Sequence, residues 1–403
     1  MNALESLAAS ILKRIFVVRV EPPKDVRKIL VIREAAIGDV LCMTPFLKAL
    51  REMYPNAAID YAVVDWAKSA IENNPNINDI FTVSNELIVG KIWAVVLKRL
   101  KFYAALAKRN YDIVFCPTTQ LLYKIVLMLF RKAYKIGFST EPKGKATKYN
   151  FMLNDHVFIN LNEIPRTRHI AIRNLEMLDL LSDKKIGRNY GLEVFPTSKD
   201  IKKIEDWINR LNWANKEIIA IAPSAGNAVK SDSAGKTAPK ELFVDIIKEL
   251  KKNPLRRFVL IGAASEYGYA ESLDIADGTS VVNCCGTFSL RESAELLKRC
   301  KLLISNDSGA THLASATKTS HIVLFGATDD VEFGPYQNPN ATIYRVSLPC
   351  APCRAANCLV EPSEQLRAHA RPYCLTMMDA KALVELAEQK LSAVETAMQF
   401  FQT

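Results

Sequence analysis

The sequence predicts an α/β protein built from two doubly wound domains, each around a parallel sheet. Short apolar runs alternate with helical patterns at a spacing of roughly 30 residues, as expected for successive βα units. This alternation occurs twice, once before residue 190 and again after residue 215. A chain of 403 residues is also long enough for two domains.

The predicted strands are continuous apolar segments, as in the buried strands of parallel sheets. In the first half they cover residues 28–33, 58–64, 79–83, 111–116 and 135–138. In the second half they cover residues 217–222, 257–261, 281–283, 302–304 and 321–326. Predicted helices lie between them, including one at 40–53 in which Pro45 marks a kink or a new first turn.

These patterns predict an N-terminal domain over 1–190, a linker over 191–215 and a C-terminal domain over 216–378. A final helix covers 379–403, and packing back on the N-terminal domain is one arrangement to test. Ligands of doubly wound domains bind outside the carboxyl ends of the strands. We therefore expect the binding site in a cleft between the two domains.

The composition predicts a cytoplasmic globular protein with reduced cysteines. Apolar residues make up 49% of the chain, yet no window approaches the roughly 18 uninterrupted apolar residues of a membrane span. The first 20 residues carry Glu5 and lack the pattern of a signal peptide. Nine cysteines, an odd number, are scattered through a chain that is too large to need disulfides.

The net charge of +10 is unevenly distributed. Residues 1–190 contain 29 Lys and Arg residues against 18 Asp and Glu residues, so all of the excess lies there. This asymmetry indicates an anionic partner, such as a membrane surface or a phosphorylated glycolipid, although a basic excess can also serve solubility alone. The absence of zinc-finger spacing, RNA-binding motifs and basic tails argues against nucleic acid.

Residues 301–327 predict a strand, a polar turn, a short helix and a second strand. The turn Ser305-Asn306-Asp307-Ser308-Gly309 opens the helix directly after the strand. A helix that begins there directs free backbone N–H groups and the positive end of its dipole at one spot, which suits a diphosphate. An ordinary cap by Asp307 or Ser308 is the alternative.

Three segments together resemble glycosyltransferase family 9, the heptosyltransferases. They are ILVIREAAIGDVLCMTPFLKALREMYPNAAIDY at 29–61, IAPSAGNAVKSDSAGKTAPKELF at 221–243 and SNDSGATHLASATKTSHIVLFGATD at 305–329. The three matches keep the order of the family and span nearly the whole chain. The resemblance implies the GT-B fold, with two Rossmann-like domains facing across a cleft, the donor in the C-terminal one and the acceptor in the N-terminal one.

The resemblance also implies an activity and its partners. The expected reaction is an inverting transfer of a heptose-like sugar from a nucleotide diphosphate, ADP-heptose above all, to a lipopolysaccharide core or similar lipid-linked acceptor. We expect no metal or other cofactor, no nucleic acid partner, and a peripheral location at the inner face of the cytoplasmic membrane. A nucleotide-sugar epimerase of the same fold, or a non-catalytic carbohydrate-binding protein, is the alternative.

Asp39 matches the catalytic base of the family in the Ile-Gly-Asp turn. A carboxylate can take the proton from the acceptor hydroxyl while that oxygen attacks the sugar, and one displacement needs only one base. The alternative is that Asp39 only caps the helix at 40–53.

The other family positions imply a donor site in the C-terminal domain. Lys236 would neutralise the leaving diphosphate, and Ser224 would donate to a phosphate oxygen. The sequence departs from the family at Ala238, where a tryptophan is usual, and in a longer segment at 227–235. Lys230 therefore competes with Lys236 for the diphosphate.

Further donor contacts follow from the same resemblance. Glu266 would accept from ribose hydroxyls, unless it only favours the dipole of its helix. Ser308 and Gly309 would supply backbone N–H groups to the diphosphate, and Asp307 would orient the loop or the sugar. His312 would donate to phosphate, unless it is a satisfied buried histidine.

Four cysteines near the C-terminus have the spacing C-x2-C-x4-C-x15-C: Cys350, Cys353, Cys358 and Cys374. The first pair has the separation found in zinc and iron–sulfur sites, whereas the last cysteine is distant. The sequence leaves open whether they bind a metal.

Overall fold

The computed structural model describes residues 20–84, 92–140, 152–160, 163, 165–226, 236–354 and 372–400. The chain divides into two compact units. Unit 1 comprises Met1–Glu163 and Ile170–Tyr190, and unit 2 comprises Ile164–His169 and Gly191–Thr403.

Unit 1 is built on a six-stranded parallel sheet with the order β3-β2-β1-β4-β5-β6. The strands are β1 Lys28–Ile32, β2 Ala58–Val64, β3 Asp79–Val83, β4 Ile113–Cys116, β5 Tyr134–Thr140 and β6 Asp155–Ile159. Strand β1 lies at the centre, where Ile29 pairs with Ile59 on one side and with Ile113 on the other. All four residues after Lys28 are buried in β1, which explains its continuous apolar sequence.

The helices of unit 1 cover the sheet with apolar side chains. They are α1 Ile37–Leu41, α2 Thr44–Met53, α3 Ile92–Ala107, α4 Leu121–Leu127 and α5 Ile170–Asp179, with a 3-10 helix at Asp65–Ala70. The helix predicted at 40–53 is divided in two, and Pro45 lies in the first turn of α2. Proline is tolerated there because the first N–H groups of a helix have no intrahelical partner.

Unit 2 repeats the same strand arrangement in its own six-stranded parallel sheet, with the order β12-β11-β10-β7-β8-β9. The strands are β7 Glu217–Ala222, β8 Arg256–Leu260, β9 Val281–Asn283, β10 Leu302–Asn306, β11 His321–Leu324 and β12 Ala341–Tyr344. The predicted α/β class, with two doubly wound parallel sheets, is therefore confirmed.

The helices of unit 2 lie between and after these strands. They are α6 Ser198–Arg210, α7 Lys240–Leu250, α8 Tyr267–Glu271, α9 Leu290–Arg299, α10 Gly309–Thr317, α11 Asp330–Phe333, α12 Tyr373–Thr376 and α13 Ala380–Phe400. None of the helices in these described parts of the chain is both long and apolar enough to cross a membrane.

The segment 191–215, predicted as a linker, belongs to unit 2 and contains α6. A capping box between Thr197 and Asp200 starts this helix, and its Ile204 and Ile208 are buried. Helix α6 packs beside α9. An amphipathic helix with a strong start signal is therefore part of the domain and not a connection.

The C-terminal helix α13, for which packing on the N-terminal domain was one expected arrangement, packs its described side chains into the core of unit 2. Its Leu383, Ala387 and Leu391 belong to the apolar core of unit 2. Glu388 also accepts two hydrogen bonds of 2.6 Å from the Arg256 guanidinium at the start of β8. The apolar stripe and this ion pair fix the helix against its own sheet.

The reversal of strand order in each sheet creates a switch point. In unit 1 it lies between β1 and β4, and in unit 2 it lies between β7 and β10. The loops that leave two such strands diverge in opposite directions, so a crevice opens at their carboxyl ends.

Candidate active site

The switch point of unit 2 gathers most of the predicted donor-binding residues. Ser224 follows β7, while Asp307 and Ser308 follow β10. Lys236 reaches the same place, since its Nζ lies 2.8 Å from Oδ2 of Asp307. From the sequence we expected these four residues to act together, and in the structure they lie at one edge of the sheet.

Helix α10 presents its N-terminus at this edge. Ser308 is the N-cap, and its hydroxyl accepts a hydrogen bond of 3.3 Å from the Ala310 N–H. Gly309 is the first helical residue. The leading N–H groups of a helix have no intrahelical acceptor, so they favour an anion at this position.

The ion pair between Lys236 and Asp307 places a cation beside the helix N-terminus. The Asp307 side chain is 6% exposed, whereas the Lys236 side chain is 43% exposed. The lysine therefore remains accessible to a ligand while its carboxylate partner is buried. The competing Lys230 lies outside the described residues.

Asn306 binds the chain on both sides of residues 227–235. This residue was not identified from the sequence as part of the site. Its side-chain N–H group donates to the Pro223 carbonyl at 2.8 Å, and its side-chain oxygen accepts from the Ala238 N–H at 2.9 Å. Asn306 is fully buried at the end of β10. In the sequence, the only indication of a special role for Asn306 was its position in a polar turn after an apolar strand. Polar residues are common in turns, so this indication is weak.

Glu266 is engaged by the backbone of two loops. One carboxylate oxygen accepts from the Gly226 N–H at 2.9 Å, and the other accepts from the Ala263 N–H at 2.7 Å. The side chain is buried. These contacts hold the loop after β7 against the loop after β8, which is a structural role beside the predicted contact with ribose.

The remaining donor residues lie in the same unit. The Ser224 hydroxyl donates to the Gly226 carbonyl at 3.1 Å and is buried. His312 is also buried, on α10, with its ring centroid 6.4 Å from that of His169. Neither position is exposed on the outer surface, in keeping with a recessed edge of the sheet.

Asp39 lies at the switch point of unit 1, in the first turn of α1. The N-cap of this helix is Ala36, so the alternative that Asp39 is only an N-cap is wrong. Its carboxylate instead forms an ion pair with Arg33, with 2.9 Å between Oδ1 and Nη2. The Asp39 side chain is 29% exposed, which leaves it accessible to a substrate.

A buried polar cluster stabilises the loop between β1 and Asp39. Glu34 accepts a hydrogen bond from the Tyr103 hydroxyl on α3 and lies 2.9 Å from the Arg99 guanidinium. Burial raises the pKa of the Glu34 carboxyl, although its hydrogen bond with Tyr103 and the charge of Arg99 oppose this shift. The cluster connects the end of β1 to α3.

Three of the four C-terminal cysteines can be located. Cys350 and Cys353 are half-buried and Cys374 is buried, while Cys358 lies outside the described residues. The sulfur atoms of the three described cysteines do not form a group within 4.8 Å of one another.

Comparison with known proteins identifies the family. The model of glycosyltransferase family 9 (heptosyltransferase) matches residues 99–363. The chain belongs to glycosyltransferase family 9. It is therefore a glycosyltransferase, as the three sequence segments predicted.

Related proteins agree with this family assignment. A lipooligosaccharide heptosyltransferase 2 from Campylobacter jejuni subsp. jejuni serotype O:6 is 32% identical over 330 residues, which cover 80% of this chain and 89% of that protein. A crystal structure of the family 9 glycosyl transferase from Veillonella parvula DSM 2008 superimposes with a TM-score of 0.72. It is 19% identical and covers 93% of this chain and 100% of its own.

A second solved structure contains a ligand. The Escherichia coli heptosyltransferase with ADP-2-deoxy-2-fluoro heptose matches with a TM-score of 0.62 and 20% identity. The match covers 90% of this family 9 chain and 99% of that structure. At this identity the likeness supports the shared two-domain fold.

Proposed function

We propose that this family 9 protein is an inverting heptosyltransferase that uses ADP-heptose and a lipopolysaccharide core or similar lipid-linked acceptor. The observation that carries the proposal is the accessible Lys236 ammonium at the N-terminus of α10, at a switch point of the sheet. Family membership supplies the sugar class. The Escherichia coli heptosyltransferase with bound ADP-2-deoxy-2-fluoro heptose supports ADP as the nucleotide.

In this proposal the donor diphosphate lies on the N-terminus of α10. The backbone N–H groups of Ser308 and Gly309 and the Lys236 ammonium bind its oxygens. An ammonium carries three N–H donors, so Lys236 can contact phosphate while it retains Asp307. Negative charge grows on the diphosphate as the bond to the sugar breaks, and fixed donors at that position lower the barrier. The backbone N–H groups and the lysine provide this stabilisation without a metal.

Other residues of unit 2 complete the proposed donor site. Glu266 keeps Gly226 and Ala263 in place, and each of its oxygens retains a lone pair for a ribose hydroxyl. His312 donates to a phosphate from α10, and the Ser224 hydroxyl does so from the loop after β7 by turning its single proton from the Gly226 carbonyl to the bound donor. Asp307 orients Lys236 through their ion pair.

In the proposed reaction Asp39 is the general base. The acceptor hydroxyl gives its proton to the Asp39 carboxylate as its oxygen forms a bond with the anomeric carbon. The bond from that carbon to the diphosphate breaks on the opposite face, and ADP leaves with the electron pair. A single displacement inverts the configuration of the sugar and consumes no cofactor.

The charge of unit 1 supports an anionic acceptor at the inner face of the cytoplasmic membrane. Leu97 and Lys101 lie four residues apart on one side of α3, Lys108 follows directly after the helix, and all three are exposed. Leu121, at the start of the neighbouring α4, is 45% exposed. Exposed leucines beside lysines are typical of surfaces that bind anionic lipid.

The test combines donor binding with turnover. We expect ADP-heptose to raise the thermal midpoint of the wild-type protein, because a ligand that binds the folded state stabilises it. With a lipid-linked acceptor the protein should release ADP and form a glycoside of inverted configuration. Asp39→Asn should lower the rate by about 100-fold or more and keep the thermal shift with donor.

The matched control is Asp179→Asn, because Asp179 is an aspartate of unit 1 that also pairs with an arginine, Arg188. It should retain full transfer activity. Full activity of Asp39→Asn would rule out Asp39 as the base. Conversion of the donor without an acceptor would favour the epimerase, and donor binding without any turnover would favour a binding protein.

A further inference from the structure

Arg33 is held by both neighbours of β1 at the switch point of unit 1. Its backbone N–H donates to the Ala62 carbonyl of β2 at 3.0 Å. Its guanidinium Nη1 donates to the Pro117 carbonyl, directly after β4. The side chain is 13% exposed. The residue is therefore fixed on two sides of the crevice from which the proposed base projects.

The same guanidinium holds Asp39. Nη2 of Arg33 lies 2.9 Å from Oδ1 of Asp39 and donates to it. Among the described residues, Arg33 is the only hydrogen-bond or ion-pair partner of this carboxylate. One oxygen is thus held by a rigid part of the sheet, while Oδ2 remains for a substrate.

A contribution to folding stability does not by itself explain why an arginine occupies position 33. Its Nε is buried and has no hydrogen-bond partner among the described residues. A buried donor without a partner disfavours folding. The guanidinium is instead well suited to join two acceptors in fixed directions, which an ammonium or an apolar side chain cannot do.

We propose that Arg33 is a positioning residue for Asp39, an inference that rests on the proposed function. By fixing Oδ1 through Pro117, it directs Oδ2 toward the acceptor hydroxyl and keeps the carboxylate from turning within the short helix α1. Arg33 does not contact the sugar or take the proton. Its effect on catalysis passes entirely through Asp39.

The test compares Arg33→Ala in two backgrounds. In the wild-type background we expect kcat to fall by about 10- to 100-fold, the range associated with misplacement of a catalytic group by about 1 Å. The KM for ADP-heptose should stay within about twofold, because the donor residues lie in unit 2. In the Asp39→Asn background the same change should cause no further loss, since residues that act as a unit are not additive.

Chemical rescue separates positioning from a general role in folding. Added guanidinium at millimolar concentration should restore part of the activity of Arg33→Ala, whereas sodium chloride at equal ionic strength should not. Arg33→Lys should retain more activity than Arg33→Ala, because an ammonium can still reach one acceptor. Arg188→Ala, which removes the ion pair with Asp179, is the control and should keep wild-type kcat.

The outcomes distinguish this inference from the proposed function. An unchanged kcat in Arg33→Ala, beside an inactive Asp39→Asn, would overturn the inference and leave the proposed function intact. Equal losses in both backgrounds, or no rescue by guanidinium, would show a structural role and overturn it as well. A fully active Asp39→Asn would overturn both.

Discussion

In the proposed function, donor binding depends most directly on Lys236. It combines an exposed ammonium with a buried partner, Asp307, at a distance of 2.8 Å. The carboxylate restricts where the ammonium lies, so less conformational entropy is lost when a phosphate binds. This arrangement leads to a prediction about affinity for the donor.

Lys236→Met should raise the Kd for ADP about 10- to 100-fold, because a hydrogen bond to a charged group contributes about 1.5–3 kcal/mol. Titration calorimetry with ADP measures this change directly. Lys203→Met is the matched control, since Lys203 is an exposed lysine of unit 2 that pairs with Glu292 at 2.9 Å. An unchanged Kd in Lys236→Met would transfer the phosphate role to another residue, with Lys230 the first to test.

For single residues of the candidate site, the sequence predicted where they lie along the fold better than it predicted their hydrogen bonds. Ser224 and Asp307 follow strands directly, Asp39 lies in the first turn of the helix after β1, and the Lys236 side chain reaches Asp307. The hydrogen bonds that hold these residues in place were not predicted. Arg33 and Asn306 act through backbone carbonyl and N–H groups of residues distant in sequence, and such contacts exist only after the sheet has formed.

Helix α4 contains a charged group in an unfavourable environment. Lys124 is 4% exposed, and its ammonium donates to the Phe138 carbonyl at 2.7 Å. Burial lowers the pKa of Lys124 to about 8, although Cys116 partly opposes the shift. Desolvation of the ammonium is the main cause, since removing a charge from water disfavours its charged form.

This shift predicts how stability depends on pH. Between pH 8 and about 10.5 the unfolded chain keeps the proton of Lys124 while the folded chain loses it, so the folded state gains stability as pH rises. Relative to Lys124→Met, the wild type should gain about 2 kcal/mol of unfolding free energy between pH 7 and pH 9.5. Urea unfolding at the two pH values measures this difference.

The control for Lys124 is Lys101→Met on α3, an exposed position. Between pH 7 and pH 9.5, the unfolding free energy of Lys101→Met should change with pH in the same way as that of the wild type. If the difference between wild type and Lys124→Met stays constant from pH 7 to pH 9.5, the ammonium is not buried as described.

Among the elements, the central strands and two edge strands, β3 and β9, were predicted from the sequence, whereas the edge strands β6 and β12 were not. Strand β1 is buried along its length and has a continuous apolar sequence. Strands β6 and β12 lie at the edges of their sheets and carry exposed and half-buried residues, so their sequences lack this signal. An edge strand has one neighbour, and its pattern approaches that of a loop.

On the scale of the molecule, the two units have the same strand order but different charge. All of the net charge of +10 falls within residues 1–190. The strand order follows from right-handed βα connections, so it carries no information about the binding partners of either unit. The uneven charge instead predicts an anionic partner for unit 1, because positive charge attracts an anionic surface.

This asymmetry predicts binding to lipid. The wild-type protein should sediment with vesicles that contain phosphatidylglycerol, and binding should weaken as salt is added. The double variant Lys101→Glu, Lys108→Glu should bind at least about tenfold more weakly, since each basic residue contributes about 1 kcal/mol near such a surface. Vesicles of phosphatidylcholine alone should bind neither protein well.

The paired control reverses two exposed lysines of unit 2, Lys203→Glu and Lys252→Glu, and changes the net charge equally. Its binding to the anionic vesicles should match that of the wild type if unit 1 carries the contact. A loss as large as that of the unit 1 variant would show that only the overall charge matters.

The amide of Asn306 has a consequence for how this part of the chain can vary in length. It fastens the chain on both sides of residues 227–235, at Pro223 and at Ala238. Pro223 and Ala238 therefore stay at a set separation, and the entropy of closing a loop between them grows only slowly with its length. The chain between these two residues can thus differ in length among relatives without a change in where its two flanks lie.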